Sequence, residues 1–179
     1  AAAFRVYLAD APKASRKKED ATLRVADLYF LLRRHAVAQQ FYQKASALQG
    51  VDVAYAEYQR AMCLGLLNDQ SGKIAVLKQL ETRGGSYAED ALFERAETHL
   101  REGENLAAEQ AFKAFARLKP NSQRGRRALL NVSLAQRNAG QLEQSIQGLR
   151  TFVVTYPGTA EADDAVLAAK MVYDELDQI

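Results

Sequence analysis

Ala91-Leu92-Phe93-Glu94-Arg95-Ala96 and Ala128-Leu129-Leu130-Asn131-Val132-Ser133 follow one pattern, apolar residues first and a small residue last. Tyr58-Gln59-Arg60-Ala61 and Leu23-Arg24-Val25-Ala26 fall in the same frame. Self-similarity at a fixed period marks a repeat architecture. The frame places repeats at 19–53, 54–88, 89–125 and 126–162, with partial units at 1–18 and 163–179. Successive starts, at Glu19, Ala54, Glu89 and Arg126, are 35, 35 and 37 residues apart.

Each unit reads as two amphipathic helices. The eighth place of the first helix is small: Ala26, Ala61, Ala96 and Ser133. A small side chain there lets the second helix come close. The fifteenth place is Asn68, Gly103 and Gly140, residues that tolerate the left-handed backbone ending a helix. Arg33 breaks that rule in the first repeat. Place 24 is bulky: Tyr42, Leu77, Phe112 and Leu149. Three residues on stand Ala45, Leu80, Phe115 and Phe152, on the same helix face. Pro120 and Pro157 stop the helices that close repeats three and four.

The ends are expected to be partial. Phe4, Tyr7 and Pro12 match the second half of a unit, so the chain is expected to open inside a repeat as a piece of a longer array. At the other end Thr159 is a helix N-cap, followed by Glu161, Asp163 and Asp164 near the positive end of the dipole. In strict register Lys170 takes the small-residue place, which suits a terminal helix with one open side.

Composition agrees with an all-helical protein. Of 179 residues, 48% are apolar and 26% charged, and only three are proline. Long proline-free stretches rich in Ala, Leu, Gln, Glu, Lys and Arg favour helix. A net charge of +2 is too small for a general nucleic-acid binder. No apolar run is long enough to span a membrane.

These places resemble the tetratricopeptide repeat: small at eight and twenty, bulky at twenty-four, Pro at thirty-two. The likeness covers nearly the whole chain. It departs from the pattern at Lys73, which stands at the small place twenty, and at Gly85, which stands where Pro belongs. The resemblance implies a right-handed α-α superhelix of about four full hairpins with partial repeats at both ends. The joints Lys119-Pro120-Asn121-Ser122, Tyr156-Pro157-Gly158-Thr159 and Gly85-Ser86-Tyr87 look like variants of one phrase. That phrase resembles bacterial envelope tetratricopeptide proteins of the outer-membrane assembly lipoprotein and Tol-Pal coordinator types. It also resembles large multi-repeat proteins of Bacteroidetes-like bacteria. It implies a scaffold that is periplasmic or outer-membrane associated, with the cytoplasm as the alternative.

In that family the first helices line a concave groove. By resemblance, the expected partner-binding residues are Tyr55, Tyr58, Met62, Phe93, Glu97, Arg101, Arg127 and Arg137. The aromatic residues and Met offer large contact areas. A clamp for a terminal carboxylate needs Asn at place nine, where this chain has Asp27, Met62, Glu97 and Leu134. Two acids there would repel a carboxylate, so an extended or helical segment along the groove is the expected ligand.

Motifs for catalysis are missing. The sequence holds no Gly-rich phosphate loop, no Gly-x-Ser-x-Gly and no His-Glu-x-x-His. His35, His99 and the single Cys63 have no zinc spacing. Cys63, between Met62 and Leu64, is expected in the core. The expectation is a non-catalytic protein-binding scaffold with no catalytic residue, cofactor or metal. Two alternatives remain from the sequence: an RNA-binding helical-repeat module, and accessory repeats of an enzyme whose catalytic domain lies elsewhere. Oligomeric state is open.

Overall fold

The computed structural model describes residues 16–48 and 52–177. The described residues form nine helices and no strand. Four helical hairpins follow one another. They are α1 (Arg16–Leu31) with α2 (His35–Ser46), α3 (Val53–Leu66) with α4 (Gln70–Arg83), α5 (Ala88–Arg101) with α6 (Asn105–Leu118), and α7 (Gln123–Asn138) with α8 (Leu142–Thr155). A single helix, α9 (Ala160–Leu176), comes last. Phe4, Tyr7 and Pro12 of the expected opening unit lie outside the described residues. The chain divides into two compact units, Ala1–Ala91 and Leu92–Ile179, each described by itself.

The core forms where the periodic residues meet. In the first unit Ala26, Ala38, Tyr42 and Ala45 pack with Ala56 and Cys63. Ala61, Leu77, Leu80 and Ala91 make a second cluster. In the second unit Phe93, Ala96, Ala108, Phe112 and Phe115 pack together, and Leu149, Phe152, Ala162, Ala165 and Val172 form the next layer. The residues at places eight, twenty, twenty-four and twenty-seven of all four repeats are buried. Each large apolar side chain removed from water stabilises by about 1.5–3 kcal/mol. No single hairpin could bury both its faces, so neighbours supply the stability.

Lys73 keeps close packing by a different route. It is only 4% exposed. Its methylene stem lies over Gly65, where an added Cβ would come within 2.8 Å of Lys73 Cδ. The small residue has moved from place twenty to place twelve, and the long side chain fills the gap it leaves. In the fourth repeat Ser145 Oγ, at place twenty, donates to the Ser133 carbonyl at 2.7 Å. That bond ties α8 to α7 at the place where their small residues meet.

The turns show one device four times. Arg33, Asn68, Gly103 and Gly140 have φ of 56°, 65°, 75° and 76°. After each, the next N–H returns to the carbonyl five residues back: Arg34 to Tyr29, Asp69 to Leu64, Glu104 to His99, Gln141 to Gln136, all at 2.8–2.9 Å. This is the Schellman closure of a helix. Arg33 therefore follows the rule that its residue type breaks. The closing bond and the packing of α2 hold it in the left-handed region.

Helix starts are capped as their sequences indicate. Thr159 Oγ1 accepts from Ala162 N, and Ser122 Oγ accepts from Gly125 N at 2.9 Å. Asp52 and Asp69 serve α3 and α4 in the same way. A side chain at Gly125 would collide with the Lys119 carbonyl, so this joint requires glycine. Tyr156 OH donates to the Pro120 carbonyl at 3.4 Å, linking one Pro joint to the one before it. Lys170, at the small-residue place in strict register, is exposed on α9 with Val166, Leu167, Met171 and Tyr173.

Two substitutions test this account. Relief of left-handed strain, about 1–2 kcal/mol, outweighs the added chain entropy of glycine, about 0.5–1 kcal/mol, so Arg33→Gly should stabilise by up to ~1 kcal/mol. Ala96→Leu should destabilise by roughly 1–3 kcal/mol through overpacking. Urea denaturation midpoints measure both. A midpoint unchanged by Ala96→Leu would contradict the close approach of α5 and α6.

Candidate functional site

In the first unit Tyr42 of α2 and Tyr55 of α3 meet on one carboxylate of α1, and Tyr58 and Tyr87 pack beside them. Asp27 Oδ1 accepts from Tyr42 OH at 2.8 Å and from Tyr55 OH at 2.9 Å. Arg24 lies 3.7 Å from the other carboxylate oxygen. The α1 helix thus fixes a charge that reaches into α2 and α3. Tyr55 and Tyr58 both pack on Tyr87, with ring centroids 6.1 and 5.1 Å apart. Tyr42 meets Tyr55 edge-on at 6.4 Å. Tyr55, Tyr58 and Met62 are half-buried, leaving part of each at the surface.

This environment holds the phenols neutral. Burial, then the bond to Asp27, pushes the Tyr55 pKa up to about 12. The same two causes raise Tyr42 further, since it is fully buried. Cys63 is buried as expected, and burial pushes its thiol up to about 11. A thiol so protonated is a poor nucleophile.

The second unit places its expected residues differently. Phe93 is 6% exposed and packs edge-on against Phe112 and Phe115. The Arg124 guanidinium covers it, 4.5 Å from the ring centroid. Phe93 is thus a core residue, and the surface above it belongs to Arg124. Its apolar ring gains more from the core than from the groove. Glu97 is half-buried, and Arg101 and Arg127 are exposed. Burial, then the neighbouring Glu94, raises the Glu97 pKa, while Arg101, Arg127 and Arg124 oppose the rise. Arg137 bonds the Glu175 carboxylate, joining α7 to α9.

Arg127, Leu130, Leu134 and Arg137 line one cavity of about 200 Å³. Its other walls come from α8 and α9, including Leu149, Glu161, Asp164 and Val172. The structure thus gathers Tyr55, Tyr58 and Met62 in the first unit. In the second it sets Arg127 and Arg137 around this cavity, with Glu97 and Arg101 on the α5 face and Phe93 in the core. Sequence reasoning missed Tyr87, which lies in the joint before α5, and Arg124, which lies in the first turn of α7 ahead of the repeat frame that starts at Arg126. Tyr87 could have been noticed as the aromatic residue of its joint phrase.

Histidines have structural surroundings. His99 is buried and bonded to the Glu104 carboxylate, with Arg95 at 3.3 Å. His35 meets the Phe30 ring edge-on. Among the described residues no group of three or more His, Cys, Asp or Glu could hold a metal ion. No described helix is long and apolar enough to cross a membrane.

Residues 127–159 match the family model described as Tetratricopeptide repeat. No curated protein matches the sequence. Among solved structures, a tetratricopeptide repeat protein from Parabacteroides merdae superposes with a TM-score of 0.70 at 13% identity, over 99% of this chain and 71% of that one. YrrB, described as a TPR protein with an unusual peptide-binding site, gives 0.66 at 18% identity over 98% and 84%. PilW, described as a widely conserved type IV pilus biogenesis factor, gives 0.68 at 18% identity over 92% and 73%. The fold is the tetratricopeptide-type helical repeat, and residues 127–159 are one such repeat.

The phenol titration can be read directly. A folded-state pKa above the ordinary value of about 10 means stability that is full below pH 10 and lost as pH rises toward 12. Ultraviolet titration should show Tyr55 ionising late, together with unfolding. Asp27→Asn should bring that ionisation closer to pH 10. Identical alkaline titrations for parent and variant would contradict the Asp27 bonds.

Proposed function

We propose that this tetratricopeptide-type chain is a non-catalytic scaffold that binds a peptide or protein segment along its first helices. The observation that carries this reading is the cavity between α7 and α9. There exposed Leu134 and half-buried Leu130 lie between Arg127 and Arg137, a mixture of apolar and charged surface suited to a peptide. Glu97 supports it, because a half-buried carboxylate with a raised pKa gains from a cationic partner. Tyr55, Tyr58 and Met62 supply the aromatic and thioether area that interfaces favour.

The same reading extends to the cell envelope. The Tyr156-Pro157-Gly158-Thr159 phrase supports it, and so does the fold shared with PilW. An extended segment fits better than a terminal carboxylate, since Asp27 and Glu97 carry the wrong charge for a clamp.

Selection of binders from a displayed random-peptide library tests the proposal. Selected peptides should bind the parent chain and lose about tenfold or more in affinity to Tyr58→Ala or Arg127→Glu, with melting temperatures little changed. No enrichment of any peptide, or selected peptides indifferent to both variants, would overturn it.

A further inference from the structure

In the first unit, the corner where α1 turns into α2 and the corner where α3 turns into α4 each expose a pair of leucines. Leu31, Leu32, Leu66 and Leu67 are 44–77% exposed. They stand just before the Schellman turns, at places thirteen and fourteen of successive hairpins. Asp27 and Leu31 of α1 wall one cavity with Tyr55 and Gln59 of α3, so the two helices run side by side and end at one edge. The turn itself does not require leucine. The same places hold Arg101 and Glu102 in the third repeat and Asn138 and Ala139 in the fourth, ahead of the same closing bond. Single exposed leucines are ordinary, but clustered pairs mark a contact surface.

Two arginines follow the first pair. Arg33 has φ of 56°, at the place that Asn68, Gly103 and Gly140 take in the other repeats. Arg34 is the N-cap of α2 and makes no capping bond, whereas Asp69 at the same place caps α4. Both arginines are exposed, and neither side chain has a hydrogen bond or ion pair among the described residues. Helix dipoles do not account for them, since the carbonyl end of α1 favours a cation and the amide end of α2 opposes one. A strained backbone that carries a side chain idle within the fold points to a role outside it. Asp69 is the only carboxylate of residues 31–36 and 66–71, and it is engaged by the Gly72 amide. The free charge of this edge is therefore positive.

We propose that this edge docks on the surface of an anionic lipid bilayer. Leucines on protruding turns offer a protein no pocket, but the boundary between headgroups and acyl chains takes apolar tips directly. Arg33 and Arg34 then meet the lipid phosphates, which guanidinium groups bind well. The proposal goes beyond the peptide-binding reading and does not rest on it. Tyr58 lies about two helical turns before Leu66 on α3, so each surface can be altered without the other.

Sedimentation of the full chain with lipid vesicles tests the proposal. Vesicles of mixed phosphatidylglycerol and phosphatidylcholine should bind the chain, and pure phosphatidylcholine should bind about tenfold more weakly. The double variant Leu32→Ser, Leu67→Ser should lose about tenfold or more on the mixed vesicles. Arg33→Gly should lose about fivefold while its urea midpoint rises, a combination that damage to the fold would not produce. Tyr58→Ala and Val154→Ser, the latter at an exposed apolar residue of α8, should bind as the parent does. No sedimentation with mixed vesicles, equal binding to both vesicle types, or undiminished binding by the leucine variant would each overturn the proposal. Library-selected peptides that lose affinity to the leucine variant, with no vesicle binding, would assign the edge to a protein instead. Vesicle binding with no peptide enriched would leave the edge standing and remove the groove.

Discussion

Two helices can lie side by side over their full length only where one side chain gives way to another. Here that place is the contact between positions eight and twenty of each hairpin. Ala26 meets this need with Ala38, and Ala96 with Ala108, with no side chain beyond Cβ. Ser133 and Ser145 meet it with a hydrogen bond to the backbone. Lys73 meets it by lying over Gly65. Every later feature depends on this approach. It buries Tyr42, Leu77, Phe112 and Leu149, and their burial fixes which faces of α1, α3, α5 and α7 remain for a partner.

The polar ties between successive repeats are built on the same frame. Tyr42 and Tyr55 share Asp27 across three helices. In the second unit, Gln136 bonds Glu109 at 2.8 Å, and Arg126 reaches Glu161. Exposed ion pairs such as Arg24 with Asp20 contribute little, about 0–1 kcal/mol. The Asp27 bonds are a different case because they are shielded, and the raised pKa of Tyr55 reports that shielding. They also orient Tyr55 toward the proposed contact face, so one set of bonds serves both folding and recognition.

Much of this was legible in the sequence, and the reasons are physical. Small and bulky residues at fixed intervals mark helix contact, so the hairpins and their buried positions follow from the period. Gly103 and Gly140 announce their turns, whereas Arg33 does not, because tertiary bonds force its backbone into the same region. The candidate site was less legible. Phe93 sits at a place that faces the groove in the family frame, yet its ring turns into the α6 and α7 packing beneath Arg124. A helical frame gives the face of a residue but not the side chain that covers it. The Glu161 carboxylate read as a helix-start acid, a local role that concealed its place on a cavity wall.

The central claim is that the first helices, and not the second ones, form the contact face. Hydrogen exchange of the full chain with and without a selected peptide tests it most directly. Binding there should slow exchange in α3, α5, α7 and α9 while leaving α4, α6 and α8 near their free rates. Slowing confined to α4, α6 and α8 would contradict the account.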